Sequence, residues 1–174
     1  MAAETDDTKW ILFKAGNALV TRTVNGGPKS FAVLPTSKVR HLLGEGPLFG
    51  QGEKPGESVA PDTSVLEGNR LRGSAIVFLG LNEPEGTQAL PSSEFRTPET
   101  VKDITGEPYF GLDVSTVSED VLADLLKTAA PEGQTLKFDE PRSASSSFSM
   151  FEAAIFAEAR SMLDWLLRNK VGCL

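Results

Sequence analysis

Near its C-terminal end the chain carries the feature that most restricts what it can fold into. Ser149 and Glu152 have the spacing of a capping box. Phe151, Ile155, Ala159, Met162 and Leu166 then recur at steps of four, four, three and four. This pattern predicts an amphipathic helix over residues 149–169, roughly 30 Å long at about 1.5 Å per residue. Its apolar stripe needs a second apolar surface to cover.

Residues 74–81, SAIVFLGL, provide such a surface. They form a nearly continuous β-rich apolar run, the mark of a strand buried on both faces, and are read as the central strand. Upstream, residues 10–13 and 18–23 are short apolar runs separated by Gly16 and Asn17, the pattern of a hairpin. Residues 30–34 resemble a third strand. Pro35, Thr36 and Ser37 open a brief helix through Leu43 that Gly44 stops. Residues 109–114 read as a further strand. Ser118 then caps a helix with Glu119 and Asp120 beside the positive dipole end; Val121, Leu122, Leu125, Leu126 and Ala129 form its apolar face, and Pro131 ends it. Residues 44–62 and 82–108 have the composition of surface loops, and 143–149 that of a polar linker. The expected fold is α+β. It is a single domain in which a mixed, mostly antiparallel sheet packs against C-terminal helices, including one long final helix.

A length of 174 residues suits one domain, and 40% apolar with 24% charged residues is the composition of a globular chain with a packed core. A net charge of -7 argues against nucleic acid as a partner, because phosphate binding needs clustered Lys and Arg, and against an anionic membrane surface. Glu4, Asp6 and Asp7 occupy the place where a secretory signal needs basic and then apolar residues. No apolar run approaches the roughly 20 residues that span a bilayer. These observations lead to the expectation of a soluble, intracellular protein. Cys173 is the only cysteine, so no intrachain disulfide and no cysteine-based zinc site can be completed within these residues.

The residues that carry chemistry are sparse. Gly44 and Gly46 are followed by Phe49 where a dinucleotide fingerprint needs its third glycine, and Gly50 and Gly52 by Pro55. No Gly-Lys pair suits a P-loop. His41 is the sole histidine and reads as a surface helix residue. Ser145, Ser146 and Ser147 lack the flanking glycines of a nucleophile elbow. Glu152, Glu158 and Asp164 share the final helix, but steps of six place neighbours about 120 degrees apart, which suits a solvated surface better than a metal site. Arg160 and Asp164 form an i to i+4 pair worth a few tenths of a kcal/mol. Trp165, beside the Leu163 flank of the stripe, reads as core packing, with an interface role as the alternative. No catalytic, cofactor-binding or metal-binding residue is assigned. Phe151, Ile155, Trp165 and Leu166 are the candidate interface residues.

Three segments together, WILFKAGNALV, SAIVFLGL followed later by PYFGLDVS, and FEAAIFAEARSMLDWLLRNK, resemble the N-terminal domain of the NADH pyrophosphatases of the Nudix superfamily. The small residues around Glu152, Ala153, Ala154, Ala157, Ala159 and Arg160, with Trp165, make the last segment specific, since amphipathicity alone does not demand them. The resemblance covers residues 1–170. In that family an aromatic residue and a four-cysteine zinc ribbon follow, and then a Nudix domain. Here Val171 and Gly172 stand where the aromatic and the first cysteine belong, and Cys173 comes one position late. Cys173 is therefore not carried over as a zinc ligand, residues 171–174 read as a divergent tail, and the chain reads as truncated before the ribbon. The family hydrolyses NADH and NAD to nicotinamide mononucleotide and AMP, with magnesium or manganese at a Nudix box. That box needs an Arg-Glu pair and a Glu-Glu pair on one helix, and the sequence contains neither dipeptide.

The resemblance thus implies a non-catalytic structural and dimerisation domain without a cofactor of its own. The implied zinc and magnesium or manganese belong to the missing parts. Its implied partners are a second copy or the missing catalytic domain, in a cytoplasmic or peroxisomal setting. The alternatives are a free-standing interaction module, or an NAD+ diphosphatase whose catalytic half lies outside these residues.

Overall fold

A computed structural model describes residues 6–23, 27, 29–43, 74–84, 86 and 106–168. The predicted loops at 44–62 and 82–108 fall mostly outside them, as do the tail 171–174 and Cys173.

Strand β1, Lys9–Lys14, is where the architecture starts. Its four central residues are all apolar and all buried: Trp10, Ile11 and Leu12 at 0% exposure and Phe13 at 2%. A strand with no wet face must lie inside a sheet covered on both sides. β1 pairs in parallel with β6, Glu107–Asp113, along Lys9 to Phe13. On its other edge it meets β2, Asn17–Thr23, only near the hairpin turn, through Phe13 with Ala18 and Lys14 with Asn17. Beyond that turn the two strands diverge. The short strands β3, Lys29–Phe31, and β4, Leu34–Pro35, occupy the opening, β3 pairing with β2 and β4 with β1. β7, Gln134–Asp139, runs along the far edge of β2, and β5, Ile76–Asn82, along β6. Among the described residues these seven strands make one sheet of order β3-β2-β1-β6-β5, with β4 on β1 and β7 on β2. Only the β1–β6 pair is parallel, so the sheet is mixed and mostly antiparallel, as expected.

The hairpin turns through Ala15 and Gly16, both left-handed at φ 50° and 78°, the geometry of a two-residue primed turn. Gly16 adopts it freely; Ala15 does so at a steric cost.

Alternation along β1 divides the core in two. Trp10 and Leu12 point to one face, where Leu19, Leu34, Val39, Leu112, Leu136 and helix residues Leu122 and Leu125 gather. Ile11 and Phe13 point to the other, with Ala18, Phe31, Val77, Phe156, Ala159 and Leu163. The first face is covered by α2, Glu119–Thr128, and by α1, Thr36–Val39, which continues as a 3-10 turn over Arg40–Leu42. The second is covered by α4, Met150–Arg168, preceded by the short α3, Pro141–Ser145. The result is the expected α+β single domain.

Several expectations change. The run 74–81 is not the central strand. As β5 it lies at the end of the sheet order, with Phe78 52% exposed, and β1 takes the central place. Apolar content alone cannot distinguish the two, because an edge strand beside a long helix is also rich in apolar residues. β7 was not anticipated: among its polar residues only Leu136 and Phe138 alternate inward. Part of the expected linker is helical in α3, where Pro141 sits in the first turn and Ala144 is fully buried. Ser118 holds the cap position of α2, but its side chain makes no capping bond, and Val121 is 38% exposed.

On α4 the buried stripe is rotated from the predicted one. Phe156, Ala159 and Leu163 are buried, whereas Phe151 and Met162 are exposed. Apolar residues cover more than one side of this helix, and the sheet selects which side is buried. Selection rests on close approach at Gly111 of β6: a Cβ there would lie 2.8 Å from Val77 Cγ2 and 3.6 Å from Ala159 Cβ. Phe156 then stacks on Phe13 at 5.9 Å and meets Phe31 and Phe148 edge-on.

Two outcomes follow for stability. Phe156→Ala should cost about 3–5 kcal/mol and Phe151→Ala under about 1 kcal/mol in urea unfolding. Ala15→Asn should raise stability by about 0.5–1 kcal/mol, because asparagine tolerates the left-handed turn and creates the favoured Asn-Gly pair.

Candidate functional site

Position 152 is the first polar site of interest on α4. Glu152 closes the predicted capping box in both directions: its Oε2 accepts from the Ser149 N–H at 2.8 Å, and its own N–H donates to Ser149 Oγ at 3.2 Å. Its other oxygen accepts from the Phe31 N–H of β3 at 3.0 Å. One carboxylate therefore caps the helix and fastens it to the sheet. Burial opposes its ionisation, but the hydrogen bonds from Ser149 and Phe31 prevail and hold the carboxyl below its ordinary range.

The other acids of the helix lie apart from it. Glu158 is exposed and has no ion pair among the described residues. Asp164 accepts from Arg168 Nε at 2.9 Å, one turn toward the C-terminus, and not from Arg160 as anticipated. Arg160 instead lies beside the hairpin turn, its Nε 3.9 Å from where a Cβ on Gly16 would stand. Among the described residues no group of three or more His, Cys, Asp or Glu is placed to hold a metal ion. His41 is exposed on the 3-10 turn, and Ser145, Ser146 and Ser147 are exposed around the end of α3.

What the fold does assemble is apolar. Phe151 and Ile155 line one groove on the flank of α4 that faces β5, and Trp165 and Leu166 line another farther along the helix. Trp165 is 63% exposed, so its reading as core packing is corrected to a surface position, and Phe151 is 49% exposed. Ile155 and Leu166 are half-buried at the groove walls. Two grooves run along this flank. One, of about 290 Å³, is lined by Val77, Ser161, Met162, Trp165 and Leu166. The other, of about 250 Å³, includes Leu79, Gly80, Tyr109, Phe151, Ile155 and Glu158.

The second groove has a structural cause in β5. Pairing with β6 shifts register between Phe78 and Gly80, a bulge that places Leu79 as an extra residue. Gly80 sits at φ 130° with nothing within 4 Å of a would-be Cβ, which leaves the groove floor open. Across the groove Tyr109 meets Phe151 edge-on at 5.9 Å. Burial, with Glu107 nearby, pushes the Tyr109 phenol above its ordinary pKa, so it stays protonated at neutral pH. Sequence reasoning did not identify Tyr109 or Gly80 as groove residues, since only the β5–β6 pairing brings them under α4. Among the described residues no helix is long and apolar enough to cross a membrane.

A family model described as NADH pyrophosphatase-like rudimentary NUDIX domain matches residues 7–165. A comparison with curated proteins returned no match.

The Glu152 latch makes acid stability measurable. A carboxyl depressed in the folded state contributes stability above the unfolded glutamate pKa of about 4.3, and that contribution is lost as pH falls through the folded value. Urea midpoints measured from about pH 7 down to about pH 3 should therefore show wild type losing more of its stability than Glu152→Gln.

Proposed function

The chain belongs to the NADH pyrophosphatase-like rudimentary NUDIX domain family, and from that premise we propose that it serves as a non-catalytic docking domain. Its partner is a catalytic Nudix domain, joined to it or separate, or a second copy of itself. The observation that carries this reading is the α4 flank: an exposed indole beside an apolar groove and an exposed phenyl ring beside a mixed one, on a helix already anchored by its other side. Exposed clusters of this kind mark interaction surfaces. The sequence adds support, because it lacks both the Arg-Glu and Glu-Glu pairs with which a Nudix box grips its metal ions.

A catalytic reading requires a carboxylate cluster, and two of the three acids of α4 are held by other groups while exposed Glu158 lies apart from them. Glu152 is held by Ser149 and Phe31, and Asp164 by Arg168.

Purified chain incubated with NADH and magnesium is expected to release no AMP; turnover that co-purifies with the chain through successive columns overturns the non-catalytic reading. Docking has an optical readout, because Trp10 is 0% and Trp165 63% exposed. Iodide therefore quenches Trp165 selectively. Adding the catalytic Nudix domain of an NADH pyrophosphatase should reduce that quenching, and unchanged quenching rejects that partner.

A further inference from the structure

We propose that the groove between β5 and the first half of α4 is a binding site for a small arylalkylamine, an aromatic ring that carries an ammonium group on a short aliphatic arm. This goes beyond the docking role and does not depend on it, because the cleft lies within a single chain.

The helix supplies one wall. Phe151, Ala154, Ile155 and Glu158 stand at positions i, i+3, i+4 and i+7, so they share one side of α4. Leu79, Gly80, Leu81 and Asn82 of β5 form the opposite wall, and Tyr109 of β6 completes a cleft of about 250 Å³. Two small residues keep it open. Gly80, at φ 130° with nothing within 4 Å of a would-be Cβ, leaves the strand side clear, and Ala154 projects little from the helix side.

The chemistry changes along the cleft. At one end the Tyr109 and Phe151 rings stand nearly perpendicular, at 86° with centroids 5.9 Å apart, and form a corner into which a third ring can pack. Glu158 stands about 10 Å farther along the helix axis. Among the described residues that line the cleft it is the only charged one, and it is exposed without an ion pair among the described residues. The neighbouring acid, Glu107, is paired with Lys9 at 3.4 Å. The Tyr109 phenol stays protonated at neutral pH and adds no charge at the ring end.

An aromatic corner at one end and a free carboxylate at the other select a ligand that is apolar at one end and cationic at the other. Half-buried Leu79 and Ile155 give its arm an apolar surface. An anion is disfavoured by Glu158 and by the net charge of -7. The volume lies below the roughly 300–1,000 Å³ of drug-sized pockets, which limits the ligand to one ring and its arm.

Tyr109 is the only tyrosine, so NMR signals from isotope-labelled tyrosine report on the cleft directly. Titration of the full chain with phenethylamine should shift them saturably, with a dissociation constant in the millimolar range expected of so small a ligand. Phenethyl alcohol, which keeps the ring and arm without the charge, should bind at least about threefold more weakly, and phenylacetate should give no saturable shift. Glu158→Gln should weaken the amine by at least about threefold and leave the alcohol unchanged. Ala154→Leu, which fills the cleft, should abolish binding of both. Both substituted positions are exposed, and far-UV circular dichroism checks that each variant is folded.

No saturable Tyr109 shift with phenethylamine overturns the proposal. So does a response that phenylacetate matches, that Glu158→Gln leaves unchanged or that survives in folded Ala154→Leu. Quenching of Trp165 with added catalytic Nudix domain decides the docking role separately.

Discussion

The constraint on which the structure depends is the burial of both faces of β1. Four consecutive apolar residues without a wet side oblige the chain to build a core above and a core below the sheet. Trp10 shows how tightly the first is specified: it is fully buried, its indole N–H donates to Thr36 Oγ1 at 2.9 Å, and its ring stacks on Phe110 at 5.0 Å. An indole buried there without Thr36 would leave a donor unsatisfied, which is costly in a dry interior. α1 is therefore held where its threonine can serve that donor. The second core is specified by aromatic packing, with Phe13 from β1 meeting Phe31 and Phe156, and Phe148 packed against both of those rings.

Two polar ties complete this arrangement at the margins of the second core. Glu152 fastens the start of α4 to β3, and Lys29 of β3 bonds the Asp139 carboxylate of β7, which the lysine holds below its ordinary pKa. β3 is only three residues long and gains little from its own pairing. Its place depends on charged groups at both ends. The widening gap between β1 and β2 that it fills is thus closed by side-chain chemistry as much as by backbone hydrogen bonds.

Helix α4 accounts for the functional reading. It is anchored on the sheet through Gly111 and Ala159, where two small residues let backbone and helix approach closely. That contact consumes one side of the helix and leaves Phe151, Met162 and Trp165 on the other. This rudimentary NUDIX domain thus carries exposed apolar side chains on one flank of the helix, and the proposed docking role rests on them.

Most local signals in the sequence were legible, although Pro141 opens a helix inside the expected linker and Ser118 makes no capping bond. The capping box at Ser149 and Glu152, the hairpin, whose turn falls at Ala15 and Gly16 one residue before the expected Gly16 and Asn17, the Pro35 helix start and the stop before Pro131 depend on neighbours a few residues apart. The family was legible too, because small residues along α4 record a close packing that amphipathicity does not require. Rank within the sheet was not legible. The run 74–81 is as apolar as a central strand, yet hydrogen-bond pairing puts β1 at the centre, and no count of apolar residues encodes pairing order. Likewise, apolar residues surround enough of α4 to allow more than one stripe. Only the approach at Gly111 decided that Phe156 is buried and Phe151 exposed. The sequence by itself determined most of the helices and strands, though not β7 or α3, and which family they form, since those follow from short-range propensity and spacing. The tertiary structure alone decided which apolar surfaces are core and which stay exposed, because burial is a property of what lies opposite a residue.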